Sequence, residues 1–309
     1  MVIEANGGRI RTVAVGAGGD SQPEVRSVSG AGGVRIAYET AGAADAPTVL
    51  LVHGFASDRR SNWIRTRWVS TLVDAGFRVI APDLRGHGES ARPRSLAAYA
   101  LPAFRDDLTA VLDAEAPGES VHLIGYSLGA RLVHDYAQTH PERVRSVTMG
   151  GPPVDGSFAG FDLTAARAAG RATARSAALA TARADDHEGA TLNAETARYV
   201  GMASSAGNDP EALLRLAEAV RRRAFRPRAG AAAHPLFIVA GEDDPVHEGS
   251  RMLAQDLPGA RFLGLPGRDH VSAVTSRVFR TAAAAFVTDV EEARRSDPSP
   301  AGRPPASGR

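Results

Sequence analysis

Apolar residues in this chain follow two rhythms, and the two alternate. Thr48–Val52, Phe77–Ala81, Val121–Ile124, Val144–Met149 and Leu236–Ala240 are short continuous apolar runs. Such runs predict strands covered on both faces, since a strand with one wet face alternates instead. Between them the spacing turns helical. Leu101, Phe104, Leu108, Val111 and Leu112 predict a helix to about Ala114, with Pro102 at its start. A helix is expected over Trp63–Ala75 with Ser61 and Asn62 as caps, and another over Leu128–His140, stopped by Pro141. Val25–Ser29 and Val34–Thr40 read as an antiparallel pair joined through glycines. A helix over Gly249–Asp256, a short strand at Arg261–Leu265 and a closing helix over Thr275–Val290 complete the pattern. Strand alternating with amphipathic helix predicts the α/β class: a mostly parallel sheet flanked by helices.

The alternation breaks at about residue 154. From there to about 230 no strand pattern occurs, Ala165–Ala184 is mostly Ala, Arg and Thr, and Glu211–Val220 is a clear amphipathic helix. The expected organisation is a loose arm over 1–24, a core made of 25–153 and 235–293, a helical cap or lid over 154–234, and a disordered tail over 294–309.

Composition narrows the chemistry. Of 309 residues, 43 % are hydrophobic and the net charge is +1, which points to neither nucleic acid nor a membrane surface. No apolar run reaches the ~18 residues of a span, and positions 1–20 lack a signal-peptide core, so a cytoplasmic location is expected. Cysteine is absent, which removes disulfides, thiolate metal sites and a thiol nucleophile. Lysine is absent as well, all 36 basic residues being Arg, so Walker, Schiff-base and Ser–Lys chemistries are closed. The glycine clusters at 16–19 and 30–33 fail G-x-G-x-x-G, because Ser21 and Arg35 stand at the third glycine position. No cofactor and no metal are expected.

What remains is Gly125-Tyr126-Ser127-Leu128-Gly129, a G-x-S-x-G between a strand and a helix. A serine on so sharp a turn is held at the carboxyl edge of the sheet, where ligands of open α/β sheets bind. Asp243 and Asp244 follow another strand and His270 the last one, giving the chain order Ser…Asp…His. An alcohol is a weak nucleophile, so histidine must take its proton and a carboxylate must orient the imidazole. The loop His53-Gly54-Phe55 ends the strand before, where the Phe55 N–H can pair with that of Leu128 to hold an oxyanion.

These stretches resemble the α/β-hydrolase superfamily, close to its lipase/esterase-like and haloperoxidase-like branch. The resemblance rests on Leu51–Phe55, Asp83–Ser90 (D-L-R-G-H-G-E-S), Gly125–Gly129, Gly241–Pro245 (G-E-D-D-P) and His270, and spans about 45–290. It implies the α/β-hydrolase fold with a lid insertion, Ser127, Asp244 and His270 as catalytic residues, and Phe55 and Leu128 in the oxyanion hole. The family's G-x-x-D pattern ends at Asp244; Asp243 is an alternative acid and Asp155 a weaker one. Dehalogenases and epoxide hydrolases of this fold use an Asp nucleophile, whereas position 127 is Ser. The Ser-x-Gly-Pro-Gly stretch of the vinylogous C–C hydrolases is missing from Phe55-Ala56-Ser57-Asp58.

The other polar residues have plainer readings. His53 and His87 are expected to tie loops together, Asp83 to order its own loop, and His122 to be a satisfied interior group. Tyr126 and Phe55 border the nucleophile and shape the pocket. Arg167, Arg171 and Arg175 share a helical face, and Arg221, Arg222, Arg223, Arg226 and Arg228 cluster near the end of the insertion. They read first as a solvated surface, with recognition of an acidic partner as the sharper alternative. The expectation is a serine hydrolase acting on the ester or related acyl bond of a small molecule. An acyltransferase, a cofactor-free lyase or cyclase, and a non-catalytic small-molecule binder stand as alternatives, and the oligomeric state is left open.

Overall fold

The computed structural model describes residues 25–154, 162–168, 193, 196–197, 200–201, 208–221, 225, 227 and 234–296. The expected arm over 1–24, most of the expected cap, the candidate acid Asp155, Arg171, Arg175, Arg222, Arg223, Arg226 and Arg228 lie outside them. The described strands are β1 (Arg26–Ser29), β2 (Arg35–Ala41), β3 (Thr48–Val52), β4 (Arg78–Pro82), β5 (Val121–Tyr126), β6 (Val144–Gly150), β7 (Leu236–Gly241) and β8 (Arg261–Leu265). The principal helices are α1 (Trp68–Asp74), α2 (Leu101–Glu115), α3 (Leu128–Thr139), α4 (Pro210–Arg221), α5 (His247–Asp256) and α6 (Arg277–Ser296).

The strands form one sheet in the order β1-β2-β4-β3-β5-β6-β7-β8. β2 pairs antiparallel with β1 and β4, and all other pairs are parallel. The continuous apolar runs have the expected cause. Leu50 and Val52 pack with α2, α3 and α4 on one face, while Val49 and Leu51 pack with α1 and α6 on the other. Period-two alternation is therefore present in direction but invisible in polarity. The chain steps from β3 outward to β4 and then back across to β5. The crevice between β3 and β5 is thus the topological switch point, the place where such sheets bind ligands.

One expected helix is broken. In place of a single helix over 63–75 there is a π-turn over Arg60–Ile64, then Arg67 in the left-handed region (φ 67°), then α1. The cause lies in two large side chains. Trp63 and Trp68 are both fully buried and meet edge to face at 5.3 Å. Residues five apart on a regular α-helix point about 140° away from each other, so one indole would have faced water. The π-turn and the left-handed residue bring both inward, and an edge-to-face pair adds about 0.5–1.5 kcal/mol beyond burial. Asp58 caps this segment, accepting from Ser61 N–H at 2.7 Å and from its hydroxyl at 3.1 Å, so neither Ser61 nor Asn62 caps anything.

At the other end, α6 runs to Ser296, beyond the expected stop at Val290, and residues 294–296 belong to it rather than to a tail. Asp83 does order its own loop, accepting from the Glu89 N–H at 2.8 Å. It also pairs with buried Arg59, which donates to Glu39 at 2.9 Å. Removing one partner of such a buried pair costs about 3–5 kcal/mol, so this network pins β2, β4 and the segment leading to the π-turn. Among the described residues no helix is long and apolar enough to cross a membrane.

Candidate active site

Ser127 stands alone between β5 and α3, with φ 53° and ψ −113°. That is a costly backbone for a residue with a side chain. It is held by its N–H, which donates to Gly150 O at 2.8 Å, and by two glycines that allow the close approach. A Cβ on Gly125 would lie 2.2 Å from Gly129 O, and a Cβ on Gly129 would lie 2.0 Å from Val52 O. With no side chain at either place, α3 drops onto β3 and β5 and the hydroxyl is lifted to the sheet edge.

The loops after β7 and β8 bring the other expected residues to the same point. His270 Nε2 lies 2.9 Å from Ser127 Oγ, and His270 Nδ1 lies 2.7 Å from Asp244 Oδ2. Asp244 is buried, and its second oxygen accepts from Val246 N–H at 3.1 Å. Its neighbour Asp243 is exposed and makes no contact with the imidazole. With Nδ1 facing a carboxylate, Nε2 is the nitrogen free to exchange a proton with the serine.

Tyr126 adds a tie absent from the sequence reading beyond its place beside the serine. Its hydroxyl donates to His270 O at 2.6 Å, and its ring lies 5.6 Å from the imidazole. Burial, with Asp244 and Asp269 nearby, pushes this phenol well above its ordinary range and keeps it a donor. Phe55 sits at the mouth of β3, nearly buried, and Leu128 is the first residue of α3. Its N–H belongs to the helix start, where amides lack intrahelical partners and the dipole favours negative charge.

The two loop histidines have structural partners. His53 Nδ1 faces Gly54 O at 2.8 Å while Nε2 accepts from Leu84 N–H at 3.0 Å. His87 Nδ1 faces Arg85 O at 3.1 Å while Nε2 accepts from Ala56 N–H at 3.1 Å. Burial lowers the pKa of both, so each is a neutral ring bridging two backbone groups. His122 lies between Ser146 Oγ (2.7 Å) and Glu291 Oε1 (3.0 Å), inside the sheet. Arg167 pairs with Glu218 at 2.8 Å, which gives the one described member of the expected arginine stripe a partner within the chain.

A cavity of about 220 Å³ opens beside the serine. Its lining includes Gly54, Phe55, Asn62, Ser127, His270 and Val274. Neither Asn62, which the sequence offers as a helix cap, nor Val274, in a stretch without periodicity, is legible from sequence as a wall residue. Asp58 followed three residues later by Ser61 was the signal available, since it supplies the cap and frees Asn62 for other work.

The chain matches the model of the alpha/beta hydrolase fold over residues 47–276. It belongs to that family. A probable oxidoreductase, EphD, of Mycobacterium tuberculosis is 38 % identical over 138 residues, 44 % of this chain and 23 % of that protein. Epoxide hydrolase A of the same organism is 36 % identical over 115 residues, 37 % of this chain and 34 % of that protein. These alignments span between about a quarter and a third of the relatives' lengths. Among solved structures, a bromoperoxidase from Bacillus anthracis superposes with a TM-score of 0.66 at 25 % identity, over 86 % of this chain and all of that one.

Proposed function

We propose that this α/β-hydrolase is a serine hydrolase, cleaving a carboxylic ester or related acyl bond of a small molecule through an acyl-enzyme on Ser127. The observation that carries the reading is the chain of hydrogen bonds from buried Asp244 through His270 to Ser127 Oγ, which lies beside a cavity. Ser127 Oγ attacks the carbonyl carbon as its proton passes to His270 Nε2. Asp244 stays ionised and steadies the imidazolium. The oxyanion takes the N–H groups of Phe55 and Leu128, the donors we assign to it; losing one such donor typically costs about 10²–10³ in rate. The leaving alkoxide collects the proton from His270. Water then gives its proton to the same nitrogen and attacks the acyl carbon; the bond to Ser127 Oγ breaks as His270 returns that proton to it, releasing the acid and the free serine. The similarity to an epoxide hydrolase does not move the reading toward epoxides. Ring opening in that branch of the family starts from a carboxylate, and position 127 offers a hydroxyl.

The test is labelling with a fluorophosphonate. The parent protein is expected to take one label and Ser127→Ala none, with p-nitrophenyl ester turnover lost in parallel. A labelled variant, or an unlabelled parent, would overturn the assignment.

A further inference from the structure

Asn62 is the carboxamide on the cavity wall, and its NH₂ group takes no part in the nucleophile relay. It is 4 % exposed and sits in the π-turn, a rare geometry that recurs at functional sites. Its Oδ1 accepts from the Gly54 N–H at 3.3 Å. That bond fixes which way the carboxamide lies, because a backbone amide can donate only to the oxygen. The NH₂ group therefore sits on the side of the cavity that Asn62 lines, with no hydrogen-bond partner among the described residues. The donor opens on the cavity rather than being sealed in the core, so an acceptor on a bound ligand can reach it.

The rest of the wall defines what that ligand group can be. Apart from His270 and the Tyr126 phenol, which is held in its neutral form, the described residues lining the cavity carry no ionisable acid or base, in a chain with 36 arginines. Phe55, Val271 and Val274 supply apolar surface; Ser57, Ser61 and Thr275 supply hydroxyls. A charged group on the substrate would meet no counter-ion among the described lining residues and would lose its water. Size sets a second limit. A 150 Å³ cavity holds benzene, so about 220 Å³ holds about nine non-hydrogen atoms.

We infer that Asn62 is a specificity-determining residue, and that the site takes a short, uncharged acyl group bearing a hydrogen-bond acceptor placed to receive the Asn62 Nδ2–H. The inference rests on the serine hydrolase reading above.

The experiment uses three p-nitrophenyl esters on the full chain: butyrate, methoxyacetate and octanoate. The first two have acyl groups of the same shape, and the second places an ether oxygen in the chain. Each kcat/KM is divided by the ester's hydroxide-catalysed rate to remove intrinsic reactivity. The parent protein is expected to favour methoxyacetate over butyrate by about fivefold, the worth of one net hydrogen bond, and butyrate over octanoate. Asn62→Leu loses the bond to Gly54 as well, which slows both short esters together and cancels in their ratio. The methoxyacetate preference itself should vanish. A parent protein with no preference, a preference that survives in Asn62→Leu, or octanoate as the best ester would each overturn the inference. Should Asn62→Leu fail to fold, Asn62→Asp, which keeps an oxygen for the Gly54 N–H and replaces the NH₂ by a carboxylate oxygen, is expected to lose the preference in the same ratio, and a preference that survives there overturns the inference. Fluorophosphonate labelling run alongside separates the two proposals. A protein that labels at Ser127 but shows no preference sinks only this one, and a protein that never labels sinks the other.

Discussion

The described residues contain two relays, each of a serine, a histidine and a carboxylate. Ser127–His270–Asp244 lies at the carboxyl edge of the sheet, and Ser146–His122–Glu291 lies within it. The distances are alike: 2.9 and 2.7 Å in the first, 2.7 and 3.0 Å in the second. What differs is the backbone and the surroundings. Ser127 occupies a strained strand-to-helix turn beside a cavity. Ser146 is a fully buried residue of β6, its hydroxyl spent on a ring that is itself fully buried. The carboxylates also differ. Asp244 faces His270 and a backbone amide, whereas Glu291 is shared with Arg145 at 2.9 Å. Burial works to raise the Glu291 pKa, but the His122 hydrogen bond and the Arg145 charge overcome it and hold the carboxyl at about 2. Burial likewise keeps His122 neutral by lowering its pKa. A serine, a histidine and an acid in register thus serve equally as a reactive relay or as a clamp between α6 and the sheet. Access for a third molecule separates the two roles.

The sharpest way to break that comparison is to remove each serine. Ser127→Ala is expected to lower ester turnover about 10⁶-fold, the loss seen when a catalytic serine is deleted. Ser146→Ala should leave kcat/KM within about twofold and cost about 1–3 kcal/mol in urea unfolding, because a buried ring nitrogen loses its partner. Equal losses of activity in the two variants would erase the distinction. The acids come next. Asp244→Asn should cost about 10⁴ in kcat by favouring the wrong imidazole tautomer, while Glu291→Gln leaves steady-state rates unchanged. A smaller effect belongs to Tyr126→Phe, which frees the His270 carbonyl. We expect kcat to fall about fivefold with KM held, and the loss should appear as slower acylation in a burst experiment.

The smallest effect is on the pH dependence of stability. The folded-state pKa of Glu291, about 2, lies below its ordinary 4.5. Its contribution is therefore present above about 4.5 and is lost as pH falls toward 2, because the unfolded chain takes up the proton first. The gap in Tm between the parent protein and Glu291→Gln should narrow by a few degrees between pH 6 and pH 3. A gap that stays constant or widens would mean that Glu291 does not carry the clamp.

The sequence made the sheet legible because two-sided burial leaves one-letter traces. Val49–Val52, Leu123–Ile124 and Leu236–Ala240 are apolar on both faces, and no other element writes itself that way. The strand-end residues Ser127, Asp244 and His270 could be read for a related reason: strand order and chain order together bring their loops to one edge. Asn62 and the broken helix could not. Their placement depends on Trp63 and Trp68 reaching a common core, which overrides the local preference for a regular turn. The second relay was also hidden. His122 in a strand reads as an isolated polar residue until Glu291, 169 positions later, is folded against it.

The indole stack has an optical side. The chain contains two tryptophans, and each adjoins a residue that lines the cavity. Trp63 follows Asn62 directly, and the Trp68 Nε1–H donates to the carbonyl of Val274 at 2.8 Å. All tryptophan emission from this protein therefore originates within a few residues of where a ligand enters. Occupancy of the pocket can be followed by intrinsic fluorescence, without a reporter group and without turnover.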